Sequence, residues 1–181
     1  MALGHDVSVA NSRGPETLSD LAAETGATPV PLAEAAKGAE IVIVSIPEKA
    51  VPGLPKDLFD HAAQGVAVID TGNYYPQRDG RIDAIEDGLQ QHLRAAPARP
   101  RRASRYARSY RLPVAGDDQL AKEMILQLVE EFGFDPVDAG RLDESWRQQP
   151  GTPVSDTDLD VEGVREGLAA ASPELPAELR G

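Results

Sequence analysis

Met1-Ala-Leu-Gly-His-Asp-Val-Ser-Val-Ala-Asn-Ser-Arg13 is the stretch on which the fold turns. It reads as the last turn of a helix, a glycine stop at Gly4, a short buried strand over residues 6–10, and a polar tip, Asn11-Ser12-Arg13. The same alternation continues downstream. Pro15 stands at a first helical position with Glu16 in the first turn, so a helix is predicted over residues 15–25, stopped by Gly26. Residues 28–30 form a short strand, 31–37 a second helix ended by Gly38, and 40–45 a Val/Ile run of the kind a sheet covers on both faces. Pro47 closes that run. Residues 48–51 and 56–63 read as helical and 66–70 as another buried strand. Strands separated by helices of this size imply βαβ crossovers and a mostly parallel sheet, an α/β class.

The second half is less regular. A helix is predicted over residues 82–94; residues 95–110 are rich in Arg, Ala and Pro and carry no period. Residues 112–115 form a strand, and Gly116-Asp117-Asp118 a turn and helix cap. Residues 119–132 make the best amphipathic helix, with Leu120, Met124, Leu128 and Phe132 every four residues and Ile125 and Val129 beside them. Gly133 ends it, and residues 135–138 form a last strand. A loop-rich stretch, a helix over 161–171 and a Pro/Glu tail follow. The expected division is a domain over 1–140, interrupted by a poorly ordered Arg-rich connector over 94–110, and a C-terminal helical extension and tail over 141–181.

Composition narrows the function. The 181 residues suffice for one domain with a core, and 41% hydrophobic content is that of a folded protein. Aromatics are 4%, so Val, Ile, Leu and Ala must build the core. A net charge of −12 disfavours nucleic acid and anionic membranes as partners. With no cysteine, disulfides, thiolate metal sites and Cys nucleophiles are excluded, and His5, His61 and His92 are too scattered for a metal site. The start lacks a basic and apolar leader pattern, and the longest apolar run, Ile41 to Ile46, is far short of a membrane span, so a cytoplasmic location is expected.

Three clusters could carry chemistry. At the end of a second strand in a doubly wound nucleotide fold, an Arg with small polar neighbours accommodates a ribose 2′-phosphate, which makes Asn11, Ser12 and Arg13 candidates for NADP. The plainer alternative is that Asn11 or Ser12 caps the following helix while Arg13 is solvated. Ser45-Ile46-Pro47 leaves the carboxyl end of a strand, where ligands of parallel sheets lie; alternatively it is a strand stopped by proline. Asp70-Thr71-Gly72-Asn73-Tyr74-Tyr75-Pro76 follows the next strand as a ligand-side loop, or as a tight turn with two surface tyrosines. The Arg cluster from Arg94 to Arg111 reads as a solvated connector or, alternatively, as an arm for phosphate or nucleic acid, although it carries no nucleic-acid motif and sits in an acidic chain; Trp146 reads as a packing residue or a pocket wall. No hydrolase elbow, zinc-protease motif or Walker loop is present. Hydride transfer needs none of them, because the cofactors carry the reactivity.

The segments from Gly4 to Leu18, Ile41 to Pro47, Val68 to Pro76, Leu112 to Asp118 and Gly133 to Gly140, in this order, resemble the NADP oxidoreductase family that includes the NADPH:deazaflavin (coenzyme F-420-type) reductases. The resemblance implies a Rossmann-like, doubly wound, mostly parallel sheet. In it Ser12 and Arg13 would hold the 2′-phosphate, Ser45, Ile46, Pro47 and Ala50 would line the nicotinamide side, and Asp70, Thr71, Gly72 and Asn73 would lie near the same cleft. It implies NADP as cofactor, a deazaflavin or similar small acceptor as second substrate, no metal, no nucleic-acid or membrane partner, and it leaves a homodimer open.

The sequence departs from the family in three places. The family's first strand and its Gly-x-Gly-x-x-Gly turn, about 25 residues by the usual spacing, have no counterpart here, so the chain is expected to be a shortened member. The Arg/Pro/Ala stretch replaces a further strand and its Asn-rich loop. Glu16 and Thr17 stand where some relatives carry another basic residue. Two functions follow: an NADPH-dependent oxidoreductase, or a non-catalytic remnant that binds nucleotide weakly or serves as an interaction module.

Overall fold

The computed structural model describes residues 3–82 and 111–172. The expected Arg-rich connector, nearly all of the helix expected from Ile82 onward, and the end of the tail lie outside these residues. The described residues fall into two compact units. One takes in the chain up to Val42 and from Gly53 to Val66; the other takes in Ile43–Pro52 and the described residues from Ala67 onward.

In the first unit, strand β1 (Ser8–Val9) pairs in parallel with β2 (Thr28–Pro29), Ser8 opposite Thr28 and Val9 opposite Pro29. Between them Pro15–Leu18 forms a 3-10 turn that runs into helix α1, Ser19–Thr25. Gly26 ends α1 in the left-handed region, φ 77°, with its N–H on the Ala22 carbonyl, which a side chain would make costly. Two expected helices contract. Over 31–37 there is a single 3-10 turn, Leu32–Glu34. Over 56–63 there are successive turns in which Leu58, Asp60 and Ala62 N–H groups reach carbonyls three residues back. These segments are short and bounded by Pro31, Pro52 and Pro55, which leaves too few residues to propagate an α-helix.

Strand β3 (Ile41–Val44) pairs with β4 (Ala67–Asp70). The expectation that β3 is covered on both faces does not hold: Ile43 is 51% exposed, and no residue of β3 is fully buried. A Val/Ile run shows that a strand forms, not how many layers cover it. β4 alternates buried and half-buried positions, with Ala67 and Ile69 inward.

The largest βαβ unit lies in the second unit. Strand β5 (Arg111–Val114) pairs in parallel with β6 (Asp135–Asp138), from Arg111 opposite Asp135 to Val114 opposite Asp138. The crossover between them is helix α3, Gln119–Glu131, which packs against β4, β5 and β6. Helix α2 is the single turn Pro76–Asp79. The Asp118 carboxylate caps α3 by accepting from the Ala121 N–H at 2.8 Å. The face of α3 differs from the expected one. Ile125, Leu128, Val129 and the stem of Lys122 are buried, while Leu120 is 77% and Phe132 47% exposed. A four-residue repeat advances about 40° around a helix at each step, so three steps carry Phe132 off the face on which a true stripe would lie. Lys122, Ile125 and Val129, spaced three and four apart, keep to it.

Lys122 keeps its ammonium paired: Nζ lies 2.9 Å from Asp138 Oδ1 and 3.3 Å from the Gly140 carbonyl. Beyond β6 comes a 3-10 segment, Leu142–Gln148, where a plain loop was expected. Helix α4, Val161–Ala170, is capped by Asp160 on the Gly163 N–H and packs against β5, β6 and the 3-10 segment. Val164 and Leu168 of α4 close a core with Ala115, Val137 and Ala139. Gly167 lets the chain at Val154 come near; a Cβ there would stand 2.7 Å from the Val154 Cγ1. Among the described residues the expected continuous sheet is thus three parallel or paired two-stranded ladders in an α/β arrangement.

Candidate functional site

In the first unit, the loop after β1 is organised by Asn11. Its Oδ1 accepts from the Arg13 N–H at 2.8 Å, and its Nδ2 donates to Thr17 Oγ1 at 2.9 Å. Thr17 Oγ1 in turn donates to the Gly14 carbonyl at 2.8 Å. Asn11 therefore braces the turn that leads into Pro15–Leu18, but it does not cap it: the cap position is Gly14 and no side chain bonds the first amides there, so the capping alternative does not hold for Asn11 or Ser12. Ser12 and Arg13 are exposed, and neither side chain makes a hydrogen bond or ion pair among the described residues.

In the second unit, a cleft of about 280 Å³ opens at the ends of β3 and β4. Ser45, Ile46 and Pro47 from the first strand line it with Thr71, Gly72 and Asn73 from the second. The two strand ends are tied by the Thr71 N–H and hydroxyl, which reach the Val44 carbonyl at 2.9 and 3.3 Å. Asp70 stands behind the wall and accepts from the Gly72 N–H at 2.7 Å. Gly72 is the residue that keeps the wall open: a Cβ on it would come 2.7 Å from Glu48 Oε1 and 2.8 Å from Asp70 Oδ1. Ala50 does not line the cleft; its N–H closes the turn onto the Pro47 carbonyl at 2.8 Å.

Two further residues line this cleft: Tyr75, part of the candidate loop read from the sequence, and Arg78, which sequence reasoning did not single out. They belong to a tightly braced loop. Asp79, whose side chain has no exposed surface, sits beneath it and takes the Arg78 guanidinium on both oxygens, Nε to Oδ1 at 2.9 Å and Nη2 to Oδ2 at 2.7 Å. Asp79 Oδ2 also accepts from the Tyr75 N–H at 3.2 Å. Arg78 Nη2 donates to the Asn73 carbonyl as well, and its guanidinium carbon lies 5.2 Å above the centre of the Tyr75 ring. Lys49 adds a bond from below, Nζ to the Arg78 carbonyl at 2.6 Å. Tyr74 is 4% exposed, not a surface residue; its hydroxyl donates to the Gly80 carbonyl at 3.1 Å and accepts from the Ile82 N–H at 3.3 Å.

These bonds set the local ionisation. The side-chain bond from Arg78, with help from the Tyr75 N–H and nearby Lys49, holds the Asp79 carboxyl below the usual carboxylate range despite its burial. The same pair raises Arg78 further above its ordinary value. The only signal in the sequence for this brace was the Arg-Asp-Gly order after a proline, Pro76-Gln-Arg-Asp-Gly80, which is common in plain turns. Among the described residues, no group of His, Asp or Glu side chains could hold a metal ion, and no helix is long and apolar enough to cross a membrane.

Both clusters fall in one span that matches a known family. Residues 1–74 match NADP oxidoreductase, coenzyme F420-dependent. The matched span includes Asn11, Ser12 and Arg13, and Ser45 through Asn73, and ends just before the Arg78–Asp79 brace. Over 40 residues, 22% of the chain, the sequence is 55% identical to the protein YjhV of Escherichia coli (strain K12). The match covers 29% of that relative's length. Among solved structures, the crystal structure of hypothetical protein SMa0349 from Sinorhizobium meliloti matches with a TM-score of 0.65 and 26% identity, covering 87% of this chain and 85% of the other. The fold is thus Rossmann-like α/β, as expected from the alternation of strands and helices.

Proposed function

We propose that the protein binds NADP(H) and serves hydride exchange between the nicotinamide and a small acceptor of the deazaflavin kind. The observation that carries this is the convergence of Ser45–Pro47 and Thr71–Asn73 on one cleft at strand ends, within the span that matches the oxidoreductase family. Strand carboxyl ends are where α/β folds take nucleotides.

The cleft fits part of such a ligand. Whole-ligand pockets run from about 300 Å³ upward, so a cleft near 280 Å³ suits a nicotinamide ring and its ribose, not a complete dinucleotide. Gly72 presents backbone and no side chain on that wall, and Ile46 and Pro47 offer apolar surface for a ring face. When bound, the reduced nicotinamide supplies the hydride. The chain's part is to orient the ring and limit water, so the lack of a strong acid, base or nucleophile in the cleft is consistent with the reaction. In this reading Ser12 and Arg13, both free to engage a ligand, take the 2′-phosphate that distinguishes NADP from NAD. Asn11 supports them by fixing the Arg13 N–H, and Asp70 and Ala50 shape the cleft from behind.

Calorimetry with NADPH and NADH tests the nucleotide. NADPH should bind the more tightly, and Arg13→Ala should erase that preference at a cost of roughly tenfold in affinity, about 1.4 kcal/mol. If neither nucleotide binds, the proposal fails and the chain is better read as a non-catalytic interaction module. The acceptor is tested by loss of reduced-nicotinamide absorbance on mixing NADPH with a deazaflavin. Absence of turnover with deazaflavin and flavin acceptors alike would remove that assignment.

A further inference from the structure

We infer that Arg78 is the oxyanion anchor of the cleft, taking a carboxylate or phosphate of the small ligand that enters beside Gly72. Three observations carry it. First, Arg78 lines the cleft and is still 41% exposed, so a ligand can reach it. Second, the guanidinium is held before any ligand arrives: both oxygens of the buried Asp79, the Asn73 carbonyl and the Tyr75 ring fix its plane. An anchor built this way loses little side-chain freedom on binding. Third, these contacts use Nε and Nη2. Nη1 has no partner among the described residues and keeps two N–H donors for an incoming anion.

The surroundings neither forbid nor duplicate this role. Asp79 is neutralised by the pair itself, and Asp70 is bonded to the Gly72 N–H. Glu48, near Gly72, opposes an anion, while Lys49 on the Arg78 carbonyl favours one. A structural Arg–Asp pair alone would be indifferent to lining a cleft. It would not need a planar fork presented there with one amino group unused.

The oxyanion has two possible sources: the phosphate on the nicotinamide half of the dinucleotide, which rests on the nucleotide reading above, or a carboxylate of the second substrate, which does not. Calorimetry on the full chain with three probes separates them: nicotinamide mononucleotide, nicotinamide riboside, which lacks the phosphate, and malonate. Arg78→Gln should weaken the mononucleotide by tenfold or more while leaving the riboside unchanged, or should weaken malonate by the same factor. Either result supports the anchor and names its source. If wild-type protein binds neither anionic probe, or if Arg78→Gln changes neither, the anchor is overturned. Should Arg78→Gln not fold, Arg78→Lys, which keeps the charge without the fork, must give an intermediate loss; no loss there also overturns it. NADPH binding and its dependence on Arg13 are measured on the same samples. A failed anchor with intact NADPH binding therefore leaves the nucleotide proposal standing, and malonate binding without NADPH binding does the reverse.

Discussion

Asp79 shows how much one residue can organise. Its carboxylate receives three hydrogen bonds, two from the neighbouring guanidinium and one from the Tyr75 N–H, in a place closed to solvent. Asp79→Asn keeps the shape but turns one acceptor oxygen into a donor facing Arg78, so about 2 kcal/mol of stability should be lost, read by chemical denaturation at pH 7. The pH dependence has a definite sign. Because the folded Asp79 carboxyl lies below its ordinary value, its contribution is full above about pH 4 and disappears as pH falls through the lowered folded value. Wild type and Asp79→Asn should therefore converge in stability on acidification. Gly72 sets a second constraint. Gly72→Ala brings a methyl group against Glu48 and Asp70, so Asp70 must leave the Gly72 N–H or Glu48 must swing away. Nicotinamide mononucleotide binding should weaken severalfold, and the double change with Glu48→Ala should recover part of it.

At the scale of elements, helix α3 separates what could be read in the sequence from what could not. Its start, at the Asp118 cap, and its end near Gly133 follow from local chemistry, and both were legible. Its buried face was not. Leu120 and Phe132 are the more hydrophobic choices, yet the helix turns Lys122 inward because Asp138 at the end of β6 and the Gly140 carbonyl just beyond it receive the ammonium. That partner lies 16 residues away and no periodicity points to it. A direct comparison checks the orientation. Ile125→Ala should cost about 2–5 kcal/mol in chemical denaturation, whereas Leu120→Ala should change stability by no more than about 0.5 kcal/mol. The same divide applies to the cleft. Ser45–Pro47 and Thr71–Asn73 were legible as strand ends, because strands announce themselves by their Val/Ile runs. The Arg78–Asp79 brace was not, since its meaning depends on Asp79 being buried by residues brought to it by folding. The shortened helices at 31–37 and 56–63 were overread because proline and small residues there mimic helix starts without the length to continue.

At the scale of the whole molecule, the two lowered carboxyls among the described residues, Asp79 and Asp138, both belong to the second compact unit. Partial desolvation works against ionisation of Asp138, about half of whose side chain is exposed, yet the bonds from Lys122 and the Gly140 N–H outweigh it. The sign is the same as for Asp79: this contribution is present above about pH 4 and lost below as the folded group takes up its proton. Hydrogen exchange followed from neutral to acid pH should show α3, β6 and the segment around Tyr75 losing protection over that range, and Asp138→Asn should flatten the response at α3 and β6. The Rossmann-like class itself was legible from the order of elements, because parallel pairing with helical crossovers leaves few other solutions. One further consequence concerns Trp146. It is the chain's single tryptophan, it sits in the Leu142–Gln148 segment, and the guanidinium carbon of Arg147 lies 5.5 Å from its ring centre. Indole emission is thus a lamp mounted beside a cation, and its colour and brightness report the melting of that one segment, giving the protein a built-in local thermometer that needs no added dye.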